Sequence, residues 1–351
     1  MKNIVYCAIK KVELVNETIY SILSLLRFNE WCNREANIII ITDQVKSFGA
    51  VFSKYDNIIF ETIQDEIVDE WKRDTDYPFV FKIKAIQYYF NKYKENLLFI
   101  DSDTVIIQDI STLFNYIDKN EVVLHAKGLS IDKYLQFNKD KILNDNYFAP
   151  TLFYSTLRDN EGLISINSKK YEIPISFTNY NSGVIGWNYC DAYLLDEVLS
   201  LSNFIYETYK AGAAEEFAFT YVAWKESKVI NTAFKEIFHY NFDKSIRYIL
   251  AYIFNYYHND ERDGLCKILE EWKMTEDDLN ELNLKSDCIK EIAAFNNTIK
   301  DNITNNVVRL FFKLGPYSED NDEFTLDYDK TIVCKLLKKY YKIKLINNQN
   351  M

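Results

Sequence analysis

No two of the six cysteines stand close together: Cys7, Cys32, Cys190, Cys266, Cys288 and Cys334 are scattered along the chain. The short spacings that mark zinc sites and redox motifs are therefore missing, and reduced thiols in a cytoplasmic protein are the simplest reading. Nor is there an apolar run approaching the ~18 residues that a membrane-spanning helix needs. A secretory leader is not expected either, because Lys2 is followed only by the short stretch Ile4 to Ile9 before Lys10 and Lys11, which reads as a first strand. Positive charge is not in excess, and a net charge of −11 argues against a nucleic-acid partner. An anionic ligand can still be held locally, by a metal and a few lysines. No internal repeat is visible.

What the chain does have is enough apolar material for a sizeable core. Its 351 residues are 48% hydrophobic, with 27 Tyr and 24 Phe, so it folds as one large α/β domain with additions or as two domains. The first 125 residues alternate strand-like and helix-like segments, as in a sheet built from βαβ units. Ile4 to Ile9 is a strand; Asn16 is the expected N-cap of a helix whose stripe is Ile19, Ile22, Leu23 and Leu26. Asn37 to Thr42 and Asn57 to Ile63 are further strands, and Phe79 to Tyr93 is a helix leading into the strand that ends at Asp101. Between Leu129 and Tyr171 the periodicity breaks down into polar and aromatic residues. This is read as an insertion at 129–171, either a lid near the acceptor or a surface excursion. Tyr180 to Trp187 is a strand with two glycines, which let a ligand or another strand approach. Helices are expected over Cys190 to Tyr206 and Ala213 to Trp224, and residues from Ile246 onward read as mostly helical.

The segment Leu97-Leu98-Phe99-Ile100-Asp101-Ser102-Asp103-Thr104 carries the strongest chemical signal. Strand side chains alternate, so Asp101 and Asp103 lean to one side and together offer oxygen ligands to a divalent cation. The same three-residue pattern occurs at Asp74/Asp76, Asp320/Asp322 and Asp327/Asp329, in polar surroundings where Asp side chains bond their own turns. Only Asp101/Asp103 closes an apolar strand, and ligands of open parallel sheets bind beyond the carboxyl ends of strands.

The ordered set Leu98 to Thr104, Asn181-Ser182-Gly183-Val184, Ala214-Glu215-Glu216 and His239-Tyr240 with Lys244 resembles a nucleotide-sugar glycosyltransferase of the GT-A fold. Its order is most similar to the retaining family of glycogenin and the lipopolysaccharide galactosyltransferases. The resemblance implies a Rossmann-like GT-A fold over residues 1–245 with a mostly parallel central sheet, followed by a helical extension at 246–351. It also implies a manganese ion, with magnesium as the alternative, on Asp101, Asp103 and His239. The implied donor is a UDP-sugar and the implied acceptor a hydroxyl on a glycan, a lipid-linked molecule or a protein. Donor contacts would come from Ala8, Asp43, Ser102, Lys244 and Lys84, the last matching the family's basic residue ahead of the metal motif, with Lys82 as its substitute. Asn181, Glu215 and Glu216 are the implied catalytic residues; Glu215 is the candidate base should the reaction invert. The chain departs from the family's His-x-x-Gly-x-x-Lys-Pro-Trp, since His239 to Ser245 lacks the Gly, Pro and Trp and is one residue shorter.

Two rival readings accompany this one. Asp101-Ser102-Asp103-Thr104-Val105 also looks like the nucleophile motif of haloacid dehalogenase-type phosphatases, although there it normally ends the first strand. A GT-A-like binding protein without activity is the other. His125, after a fifth strand at Glu121 to Leu124, either approaches the site or is structural, and His258 reads as structural. Lys335 to Lys344 holds five lysines and no acid among apolar residues, a composition for either a solvated helix or a peripheral membrane contact through 335–345.

Overall fold

The computed structural model describes residues 1–53, 55–73, 75–137, 150–166 and 169–240. Lys244, His258, the expected helical region 246–351, the lysine-rich tail, and the Asp320/Asp322 and Asp327/Asp329 pairs lie outside the described residues, as does Asp74.

The order of elements is β1 (Lys2–Ala8), α1 (Val12–Phe28), α2 (Cys32–Glu35), β2 (Ala36–Thr42), α3 (Val45–Phe52), β3 (Ile58–Thr62), α4 (Asp65–Lys72), α5 (Val80–Tyr93), β4 (Leu97–Ile100) and β5 (Thr104–Ile106). There follow α6 (Ser111–Asp118), β6 (Val122–Ser130), α7 (Ile131–Phe137), α8 (Thr151–Asp159), β7 (Leu163–Ile166), β8 (Lys169–Glu172) and β9 (Thr178–Trp187). A 3-10 turn at Tyr189–Leu194 leads to α9 (Leu195–Tyr209), α10 (Ala214–Lys225), β10 (Ile230–Thr232) and β11 (Ile237–His239).

Seven strands form one sheet in the order β10-β6-β9-β4-β1-β2-β3. β4, β1, β2 and β3 run parallel, β10 is parallel to β6, and β9 alone runs against its neighbours. The period of two in each strand sorts side chains onto two faces. Ile4, Tyr6, Ile38, Ile40, Leu98 and Ile100 enter one core beneath α1, α3 and α6. Val5, Ile39, Ile41, Leu97 and Phe99 enter the other, beneath α5, α8, α9 and α10. Both faces are covered, which is why the central strands read as continuous apolar runs. Among the described residues no helix is long and apolar enough to cross a membrane.

Three expectations need correction. Asn16 is not an N-cap: α1 begins at Val12, directly after Lys10 turns the chain with φ 66°, and Asn16 is buried inside the helix. The fifth strand is longer than expected, so that His125 lies within β6 and not after it. The described residues of 129–171 are not an irregular excursion, since α7, α8 and the β7–β8 hairpin send Ile131, Leu135, Phe153, Leu157, Ile164 and Tyr171 into the second core. Its polar stretch 138–149, which masked that periodicity, lies outside the described residues.

β9 is the strand that holds the two halves of the sheet together, and Gly186 lets it do so: a Cβ there would stand 2.8 Å from the side chains of Ile117 and Val123. Trp187 beside it is 1% exposed, and its ring N–H donates to the Asp191 carbonyl at 3.1 Å. Trp187→Ala is expected to cost about 3–5 kcal/mol in urea unfolding. A loss under about 1 kcal/mol would contradict this placement of β9.

Candidate metal and active site

Asp101 and Asp103 occupy the tight connection between β4 and β5, at the carboxyl end of the sheet's central strand. The turn is braced from both sides. The Asp101 N–H donates to the Gly183 carbonyl at 2.9 Å, and the Thr104 hydroxyl donates to the Asp101 carbonyl at 2.8 Å. His239 arrives from 136 residues away because β11 pairs antiparallel with β5, His239 opposite Thr104, and the Tyr240 N–H donates to the Asp103 carbonyl at 3.1 Å. Its Nε2 lies 3.1 Å from Asp103 Oδ1 and 4.0 Å from Asp101 Oδ2.

Room for that imidazole is made by Gly183, where a Cβ would stand 2.2 Å from His239 Nδ1. Around Asn181, Ser182 and Gly183 the β6–β9 register is irregular. Such bulges re-aim side chains beside functional sites. His239 is buried, and His125 meets its ring edge-on at a centroid distance of 5.3 Å. His125 is itself anchored through Nε2 to the Ile237 carbonyl at 3.0 Å. Burial, with the neighbouring His239, depresses His125 to about 3, which keeps it neutral at neutral pH.

A second layer of charge lies under the first. Lys82, on α5 and 7% exposed, places Nζ 2.7 Å from Asp101 Oδ2, 3.0 Å from the Ser182 hydroxyl and 3.5 Å from Glu215 Oε1. Burial alone would pull this ammonium down, but Asp101 and then Glu215 outweigh it and hold Lys82 above its ordinary value. Burial pushes the Asp101 carboxyl up, and Lys82 only partly reverses that. Glu215 is buried, hydrogen-bonded through Oε2 to the Tyr77 hydroxyl and through Oε1 to Ser182 at 3.2 Å. Its N–H donates back to Tyr77 at 2.9 Å. Glu216 is half-buried and accepts from Asn181 Nδ2 at 2.5 Å; desolvation, and next the charge of Glu215, push it up to about 8.

Asp101, Ser102, Asp103, His239, Lys82, Asn181, Glu215 and Glu216 thus converge. Glu215 and Glu216 lie in the first turn of α10, Glu215 buried and Glu216 half-buried. Lys82, and not Lys84, reaches the carboxylates: two positions on, Lys84 lies roughly 200° around the helix, half-buried and without a bond to them. Lys82 shares the apolar face of Ile86 and Tyr89, a phase that was available in the sequence. Asp43 is taken up locally, accepting the Lys10 N–H at 3.0 and 3.1 Å. The Ala8 methyl is packed in the first core. Tyr77, which no motif marked, ties Glu215 in place across 138 residues; no local pattern signals such a contact.

The donor set can be tested for a metal. One ligand atom from each of Asp101, Asp103 and His239 lies within 4.8 Å of the others. Ligand oxygens stand about 2.0–2.6 Å from a divalent cation such as magnesium or calcium, so one ion spans donors up to roughly 5 Å apart. Two carboxylates with an imidazole fit such an ion.

No family model matches this chain, and no curated protein matches it. Solved structures do resemble it. Mouse xyloside xylosyltransferase 1 in its apo form is similar with a TM-score of 0.44 and 13% identity, over 69% of this chain and 98% of that one. An active-site mutant of LgtC is similar with a TM-score of 0.36 and 12% identity, over 62% and 70% of the two chains. The galactosyltransferase LgtC in complex with donor and acceptor sugar analogs gives 0.39 and 11%, over 66% and 73%.

The raised Glu216 carboxyl has a consequence for stability. Its folded value of about 8 exceeds the ordinary 4.5, so the folded state holds a proton that the unfolded chain releases, and stability falls as pH rises through that window. Glu216→Gln removes this loss. Its melting temperature without metal, relative to the parent, is expected to rise by several degrees between about pH 4 and about pH 9. A difference that is flat or of opposite sign would contradict the burial of that carboxyl.

Proposed function

We propose that this chain is a metal-dependent glycosyltransferase that moves a sugar from a nucleotide-sugar, a UDP-sugar in the first instance, to a hydroxyl acceptor on a glycan, lipid-linked molecule or protein. The observation that carries the reading is the approach of His239 Nε2 to 3.1 Å from Asp103 and 4.0 Å from Asp101, at the strand end where open α/β sheets bind ligands. Asp101, Asp103 and His239 would hold the ion, and manganese suits that mixture of hard oxygens and an imidazole. When bound, a divalent ion supplies the positive charge that stabilises a departing diphosphate.

The chain's own residues set the conditions for this chemistry. Four carboxyl groups crowd the site, so an anionic donor is repelled unless a cation intervenes. Lys82 holds Asp101 from behind and balances Glu215. An inverting route needs a general base. Glu215 is ill suited to that role, because both its oxygens are engaged by Tyr77, Ser182 and Lys82. Retention of configuration is the reading this favours, with Glu216 facing the reacting sugar. A membrane contact through residues 335–345 would suit a lipid-linked acceptor.

Calorimetry with MnCl2 and UDP tests the reading. UDP is expected to bind only with the metal present, and Asp103→Ala to abolish turnover with the fold intact. Its manganese affinity should fall by more than the roughly 10–100-fold typical of outer-shell changes. Metal-independent behaviour with turnover of a phosphate monoester would favour the phosphatase instead. A variant as active as the parent would sink the metal assignment.

A further inference from the structure

We infer that Asn181 is the positioning residue that decides which ring nitrogen of His239 faces the carboxylates, and that it thereby sets the affinity of the site for a divalent cation. This rests on the metal-site reading of Asp101, Asp103 and His239. The argument begins with Gly183, whose backbone N–H can only donate. It points at the side-chain oxygen of Asn181, 2.9 Å away, so that atom is the carbonyl oxygen and not the amide nitrogen. The opposite end of the amide agrees, since Nδ2 donates to Glu216 at 2.5 Å. The same oxygen stands 2.9 Å from His239 Nδ1. An acceptor there requires Nδ1 to carry the hydrogen, and in the neutral ring this leaves the lone pair on Nε2.

That lone pair is directed at Asp103 Oδ1, 3.1 Å away, and Asp101 Oδ2, 4.0 Å away. A nitrogen this close to a carboxylate needs positive charge between them, either a proton, which makes the contact a hydrogen bond, or a metal ion that takes the proton's place. Asn181 thus converts a backbone donor into a metal-ready imidazole, as hydrogen-bonded partners of ligating histidines generally do. Little else can take its place, because Asn181 is 2% exposed and the ring is confined by Gly183 on one side and His125 on another.

The test is calorimetric titration of MnCl2 alone, without donor, into the full chain. Asn181→Leu keeps the bulk and removes the acceptor. It is expected to weaken manganese binding by about 10–100-fold and, because the Gly183 N–H and Glu216 lose their partner, to lower the metal-free melting temperature while the chain still folds. Asn181→Asp combined with Glu216→Gln exchanges the amide and the carboxyl, keeps both bonds, and is expected to restore binding. If the parent binds manganese and Asn181→Leu binds it equally well, the positioning role is overturned while the metal site stands. A parent that takes up no manganese overturns both. Should Asn181→Leu fail to fold, long-range proton–nitrogen spectra of histidine-labelled parent loaded with cadmium answer the question among its 3 histidines. A protonated Nδ1 on His239 supports the role, and a protonated Nε2 refutes it.

Discussion

Four carboxyl groups, those of Asp101, Asp103, Glu215 and Glu216, gather at the carboxyl end of the central strand, and the buried ammonium of Lys82 reaches two of them, Asp101 and Glu215. Such crowding is costly in a protein interior unless charges are paired or removed. The chain uses three devices. Lys82 sits between Asp101 and Glu215, Tyr77 and Ser182 satisfy the remaining oxygens of Glu215, and Glu216 is held in its protonated form by burial and by its neighbour. Asp101 and Asp103 remain, with His239 beside them, as the group that a divalent cation would join.

The topology serves this convergence. β9 is the one strand of the sheet opposed to its neighbours, and its irregular stretch delivers Asn181, Ser182 and Gly183 to the end of β4. The short ribbon of β5 and β11 lies outside the main sheet and brings His239 beside Asp103. Bonds at the site span 19 to 138 residues of sequence. Loss of any one contact is therefore felt through several elements at once, as in other buried polar networks.

The central strands were legible because burial on both faces makes them continuous apolar runs, and β1, β2, β3 and β4 fall within two residues of expectation. The metal-type cluster was legible from Asp101, Asp103 and the late His239, whose position followed from a resemblance in motif order and not from any local pattern. That Lys82 contacts the carboxylates follows from helix phase, since Ile86 and Tyr89 mark the buried face it shares. The ribbon that seats His239 is three residues on each side, too short for a period of two to show. Asn16 looked like a cap because Asn favours that position, whereas α1 starts at a turn set by Lys10 and Asp43. Contacts such as Tyr77 with Glu215 belong to the tertiary fold alone.

Anomalous diffraction from crystals soaked in MnCl2 measures the central claim most directly. The account predicts one strong manganese peak at the centre of the Asp101, Asp103 and His239 cluster, about 2.0–2.6 Å from a carboxylate oxygen of each aspartate and comparably near Nε2 of the imidazole. Strong manganese density elsewhere in the crystal with none at this cluster would contradict it.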